Sequence, residues 1–295
     1  MPILKPRSIL GGMKVKEAMQ RRFLQLPSTS SLKTCIRQII KYKANAVLVT
    51  QPDGHPGVVS KTDLMGAFYA GLDLDTILFD IMVGSLYSCV SEDPVEIAVE
   101  RMKQYGIHQL YVSSKTDNSI SGLLEYSDIV GLLYRYCRAC KKSGRYKKNI
   151  IDQSIPRLVV KDVMTPGAVS CHINRSIIEV IEILSEKKMG TILVTNDKGK
   201  AWGVISKTDL VLAFAHGVDV SDTARSIMQH PVSACDEDVR LSDAIARMLL
   251  FDIQRIFVQQ PHTDTVTGVL SLSDATRFRS GTCRACRVGQ ILDPA

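Results

Sequence analysis

"GVVSKTDLMGAFYAG" (Gly57–Gly71) returns later in the chain as "GVISKTDLVLAFAHG" (Gly203–Gly217). A helix that only packs is free to vary, so keeping S-K-T-D in place points to duplication, to a site used twice, or to both. Working outward, Asp63 and Asp209, Asp128 and Asp274, and Cys137 and Cys283 each stand 146 residues apart. The halves are duplicates, and each half is itself a doublet: "GVVSKTD" with "GLLEYSD", then "GVISKTD" with "GVLSLSD". A repeat of this kind decides the fold before any single element does.

The third copy shows one unit most clearly. "KDVMTPGAVSCHINRS" reads as a lead-in segment with a short strand. In "SIIEVIEILSEKKMG" (Ser176–Gly190), Ile177, Ile178, Ile181 and Leu184 fall at helical spacing, and Gly190 is the expected stop. "TILVT" is a β-branched strand, "NDKGK" a turn and "WGVIS" a second strand, and "KTDLVLAFAHG" opens another helix. The unit is β-α-β-β-α, and the other three copies keep that order.

Bulk properties agree with a globular chain. The 295 residues are 45% apolar and 23% charged, enough for about two domains with cores of their own. No apolar run has the length of a signal peptide or a membrane span, so a cytoplasmic location is expected. In that compartment eight cysteines do not make a disulfide framework. The net charge of +7 is local: Tyr134–Lys148 alone carries seven Lys and Arg and no acid. Such a run suits phosphates or an acidic partner, or simply a solvated linker.

Four tandem copies, each with Gly-apolar-apolar-x-x-x-Asp before a helix, resemble the cystathionine-β-synthase (CBS) domain family from about Met13 to Gly281. The resemblance implies an α+β fold in which β-α-β-β-α repeats pair through their sheets into two Bateman modules, which often face each other as a disc. The repeats are expected at 13–75, 76–140, 158–220 and 221–286, with a basic linker at 141–157.

The chemistry of S-K-T-D admits two uses. Ser, Thr and Asp cap helices, and capping alone explains the stretch. Unpaired N–H groups at a helix start also favour anions, and an Asp carboxylate can accept ribose hydroxyls. The resemblance favours the second use, because in CBS domains the matching Asp holds ribose and the Ser/Thr three residues earlier lies near ribose or phosphate. Carried over, the candidates are Ser60, Thr62 and Asp63; Ser206, Thr208 and Asp209; and Ser271, Ser273 and Asp274. The second copy departs from the pattern, since Glu125 replaces the hydroxyl and would repel phosphate, although Asp128 remains for a ribose.

The strand after the first helix lines the nucleotide cleft in the family. Odd copies have small residues there, including Ala46 and Thr191, which leave room for adenine. Even copies offer His108 and Arg255 as phosphate contacts. Arg has a fixed charge and only donors, so it seeks an anion, and Asp252 is the local competitor.

"CRAC" at Cys137–Cys140 and Cys283–Cys286 is not part of the CBS pattern. Thiols at i and i+3 share a helix face, and two pairs together would supply four thiolates for zinc or an iron–sulfur cluster, or a redox pair, if the helix ends meet. Cys89, Cys171 and Cys235 recur in the strand before the first helix and read as small buried hydrophobes. No catalytic motif is present, and with the four repeats filling the sequence no attached enzyme domain is expected.

The leading expectation is therefore a non-catalytic regulatory protein. It would bind AMP, ADP, ATP or S-adenosylmethionine between paired repeats and act on an unidentified effector protein. A metal or redox switch at the CRAC pairs ranks second, and nucleic-acid binding by the basic stretch third. The sequence leaves open whether two chains form a homodimer.

Overall fold

A computed structural model of the chain describes residues 12–117, 119–142 and 158–277. It is an α+β protein divided into two compact units. The copies are not grouped in sequence order: one unit holds the first and third, the other the second and fourth.

The unit of copies 1 and 3 has two three-stranded sheets. In the first, β2 (Ala46–Thr50) runs parallel to β1 (Gln25–Pro27) and antiparallel to β3 (Gly57–Ser60). In the second, β9 (Thr191–Thr195) lies between β8 (Ser170–His172) and β10 (Ala201–Ser206) in the same senses. The helices are α2 (Leu32–Tyr42), α3 (Lys61–Tyr69), α6 (Ile177–Glu186) and α7 (Lys207–Ala215). The duplication places equivalent residues together, and the Phe68 and Phe214 rings stack with centroids 5.2 Å apart. Fully buried Leu32, Ile39, Leu64, Ile177, Ile181 and Leu210 belong to one continuous core. The nearly all-buried strand β2 is the β-branched run that such a core selects.

In the unit of copies 2 and 4, β5 (Gln109–Ser113) is flanked by β4 (Ser88–Val90) and β6 (Ile120–Glu125). In its other sheet β12 (Arg255–Gln259) lies between β11 (Ala234–Asp236) and β13 (Val266–Ser271), and β7 (Thr165–Pro166) adds to β13. Its helices are α1 (Val15–Ala18), α4 (Val95–Gln104), α5 (Tyr126–Lys142), α8 (Leu241–Leu250) and α9 (Leu272–Arg277). Val95, Met102, Leu110, Ile129, Met248 and Ile256 sit in a second core.

The lead-in segments dock on a neighbouring copy and not on the copy they precede. Gln20 and Leu123 exchange backbone hydrogen bonds, as do Val83 and Val58, and Gln229 and Val204. Thr165 pairs with Val269 on β13. The glycine of each Gly-apolar-apolar signature makes this approach fit. A Cβ at Gly122, Gly203 or Gly268 would stand 2.7, 2.8 or 2.6 Å from the carbonyl oxygen of Gln20, Gln229 or Thr165. At Gly57 it would meet the Met82 sulfur at 2.7 Å. Docking of this kind satisfies a sheet edge that would otherwise be open.

Helix ends follow their local chemistry. Ser176 caps α6 in a capping box with Glu179. The helix stops at Glu186, earlier than the expected Gly190, because Lys188 takes the left-handed conformation (φ 51°) that ends it. No helix among the described residues is long and apolar enough to cross a membrane.

Cys35, on α2, and Cys89, Cys171 and Cys235, in the strands that precede a helix, are all buried. Burial pushes the Cys35 thiol up to about 12 and the other three to about 11. An unfolded chain gives up these protons near pH 9, before the native chain does, so stability falls as pH rises through that window. Native protein at pH 8 is expected to react with iodoacetamide at these four positions at least ~100-fold more slowly than urea-unfolded protein. Equal rates, read by peptide mapping, would contradict the buried placement.

Candidate nucleotide site

Each copy ends its antiparallel strand pair at a helix start, and the same bonds recur there. Ser60 N donates to Asp63 Oδ2 at 2.7 Å, and Ser60 Oγ donates to the same oxygen at 2.6 Å. Ser206 and Asp209 repeat this at 2.7 and 2.6 Å, and Ser271 and Asp274 at 3.0 and 2.5 Å. In turn each serine Oγ accepts the aspartate N–H, at 3.4, 3.4 and 3.2 Å. The serine hydroxyl and Oδ2 are therefore engaged in capping. Oδ1 is the oxygen that the cap leaves unused.

The second copy keeps half of this device. Glu125 N donates to Asp128 Oδ2 at 2.8 Å, and the Ser127 hydroxyl donates to Glu125 Oε2 at 3.3 Å. Burial pushes the Asp128 carboxyl up, against hydrogen bonds from Glu125 and Gln20 that pull it down. Two acids at one helix start make this copy the poorest of the four for phosphate.

Around copies 1 and 3 the two S-K-T-D starts lie within reach of each other. Lys207 Nζ donates to Thr62 Oγ1 at 2.7 Å. Thr62 is exposed and Thr208 half-buried. A compact ammonium beside two helix starts is an arrangement that suits a phosphate.

The strand opposite the cap is set by register. Ala46 pairs with Ser60, Gln109 with Glu125, Thr191 with Ser206 and Arg255 with Ser271. Ala46, Gln109, Thr191 and Arg255 are thus equivalent. His108 falls one residue earlier than the Arg255 row, outside β5, with its ring edge-on to Tyr126 at 6.0 Å between centroids. Gln109 is the residue that sequence reasoning missed. Its Oε1 is buried and has no hydrogen-bond partner among the described residues. The duplication itself carried the signal, since Gln109 stands 146 residues before Arg255 and is its counterpart in the second copy.

The fourth copy combines the most functional groups. Ser273 Oγ lies 2.7 Å from Ser271 Oγ; because the Ser271 proton goes to Asp274, Ser273 is the donor of that pair. Arg255 is half-buried and makes no hydrogen bond or ion pair with another described residue. Burial pushes its guanidinium below the usual value and the Asp274 charge offsets part of that effect; Asp252, the expected competitor, does not contribute. A carboxylate, two hydroxyls and a cation without a hydrogen bond to a described residue share one strand-to-helix mouth.

Cys137 and Cys140 lie in the backbone of α5, while Cys283 and Cys286 and most of the basic linker at 141–157 lie outside the described residues. Among the described residues no group of three or more His, Cys, Asp or Glu is placed to hold a metal ion.

Comparison with known proteins follows this geometry. The chain is 26% identical over 223 residues to the 5'-AMP-activated protein kinase subunit gamma of Dictyostelium discoideum, covering 70% of this chain and 37% of that one. It is 25% identical over 126 residues to an L-aspartate semialdehyde sulfurtransferase of Methanocaldococcus jannaschii, covering 43% of this chain and 24% of that one. The chain thus spans well under half the length of these relatives. Among solved structures, a Methanocaldococcus jannaschii protein described as a candidate archaeal homologue of g-AMPK superposes with a TM-score of 0.74 at 15% identity, over 90% of this chain and 99% of that one, a likeness of fold. The CBS domain matches residues 15–70, 78–135 and 160–216, more than half of the chain, and the chain belongs to the CBS domain family.

Proposed function

We propose that the chain is a non-catalytic, cytoplasmic regulatory protein that binds adenine nucleotides and passes their occupancy to a separate effector protein. The observation that carries this reading is the mouth of the fourth copy. There Arg255, a half-buried cation with no hydrogen bond to a described residue, stands beside the capped Asp274 and the Ser271–Ser273 hydroxyl pair. A carboxylate oxygen for ribose hydroxyls and a guanidinium for phosphate suit a nucleotide better than a nucleoside. The Lys207–Thr62 contact gives copies 1 and 3 a cation of their own. The kinship with a subunit named for AMP activation points the same way. Occupancy would act on a partner through a difference in affinity between two states of the chain.

Ligand-stripped protein heated with increasing AMP, ADP, ATP or S-adenosylmethionine tests the reading. At a hundred times Kd a nucleotide that binds only the native state adds about 2.7 kcal/mol, a rise in melting temperature of roughly 5–10 °C. At least one nucleotide is expected to give a saturable rise of that order. No rise with any of the four, in folded protein, would reject the proposal.

A further inference from the structure

Deepening that nucleotide reading, and resting on it, we propose that this chain closes two of its four ribose carboxylates with its own glutamines, so that only Asp63 and Asp274 accept a nucleotide. The capping bonds leave Oδ1 of each aspartate unused, and the lead-in segment decides what meets it. Gln229 Nε2 donates to Asp209 Oδ1 at 3.0 Å, and Gln20 Nε2 donates to Asp128 Oδ1 at 2.8 Å. An amide N–H there supplies the donor that a ribose hydroxyl would supply. The equivalent residues at the other two copies are Val83, which has no side-chain donor, and Thr165, which makes no side-chain bond to Asp274. Asp63 and Asp274 accordingly keep Oδ1 unpaired among the described residues.

The placement of the glutamines follows from backbone geometry. Each is the residue after a lead-in methionine, Met19 or Met228, whose sulfur fills the space over the signature glycine. Paired backbone hydrogen bonds to Leu123 and Val204 fix Gln20 and Gln229 beside the aspartates. The sequence motif Met-Gln or Met-Val/Thr, read in a different copy from its aspartate, thus sets which sites are open. The two S-K-T-D copies are then unequal: the first is open and the third closed.

Two measurements on the full chain test this. In a double-mutant cycle of Gln229→Val and Asp209→Ala, followed by urea unfolding, the loss of the Asp209 cap is common to both backgrounds and cancels. A bond between the two side chains appears as non-additivity, expected as an approximately tenfold effect on the unfolding constant. Additivity would overturn the proposal whether or not any nucleotide binds. In equilibrium dialysis with labelled AMP, Gln229→Val is expected to tighten binding at the third copy roughly tenfold and to raise the AMP held per chain. Asp209→Asn, which keeps an oxygen for the cap but turns the Oδ1 acceptor into a donor, is expected to abolish that gain. If Gln229→Val adds no AMP while the parent chain binds it, or if Asp209→Asn weakens the parent chain as much as Asp63→Asn does, the closure is wrong. A parent chain that binds no AMP, ADP, ATP or S-adenosylmethionine ends the functional reading instead, and the cycle alone then judges the Gln229–Asp209 bond.

Discussion

Arg255→Met is expected to weaken AMP binding by roughly ten- to a hundredfold, while adenosine binding shifts by no more than about twofold. The argument starts from the register that sets Arg255 opposite Ser271, at the mouth where Asp274 caps its helix. The guanidinium is half-buried, short of water, and makes no hydrogen bond to a described residue, although the Asp274 charge acts on it from a distance. A desolvated donor in that state interacts strongly with an anion that reaches it, and hydrogen bonds to charged groups contribute about 1.5–3 kcal/mol. Adenosine lacks the anion and is indifferent to the change. Without ligand the effect on stability is small: loss of a partly desolvated charge favours the variant, and loss of its attraction to buried Asp274 opposes that, so the two nearly cancel, to within about 1 kcal/mol. Calorimetry with AMP and adenosine, alongside urea unfolding of both proteins, checks the large binding effect and the small stability effect together. Equal losses for AMP and adenosine would place Arg255 away from the phosphate.

Gly122→Val is expected to destabilise the chain by about 3 kcal/mol or more, lowering the melting temperature by roughly 6–12 °C. The first added carbon would lie 2.7 Å from the Gln20 carbonyl oxygen and 2.7 Å from the Met19 sulfur. The methionine can turn aside, but the carbonyl belongs to a backbone pair with Leu123 and cannot move without breaking both hydrogen bonds. Gly66→Ala is the control. Gly66 lies inside α3, and a Cβ added there would meet nothing within 4 Å, so alanine should be neutral or stabilise by up to about 1 kcal/mol. Similar melting temperatures for both variants would mean that the lead-in segment is not held where the glycine signature places it.

Much of this architecture was legible in the sequence. The 146-residue spacing revealed the duplication, a β-branched run marked β9, and Ser176 marked the start of α6, because each is a local signal acting on neighbouring residues. The capping use of S-K-T-D was legible for the same reason, since Ser60 and Asp63 lie one helical turn apart. What could not be read depends on contacts distant along the chain. The signature glycines were visible, but their meaning was not, because the atoms that exclude a side chain at Gly122 come from Met19 and Gln20. Gln20 is 108 residues from Asp128, and no periodicity links them. The early end of α6 turned on Lys188 adopting a left-handed backbone, which lysine seldom does. Gln109 stands 146 residues before Arg255, so the duplication already marked it as Arg255's counterpart, whereas His108, one residue earlier, stood out only for its side-chain chemistry.

The two open carboxylates carry the account of nucleotide binding. The measurement that tests it most directly is a calorimetric titration of AMP into the ligand-stripped chain and into the Asp63→Asn/Asp274→Asn double variant. Both substitutions keep an acceptor for the cap, so circular dichroism should show the fold intact. The account predicts a saturable isotherm for the parent and a loss of at least roughly thirtyfold in affinity for the double variant, the worth of a charge-assisted hydrogen bond at each ribose. An isotherm unchanged by both substitutions would contradict it.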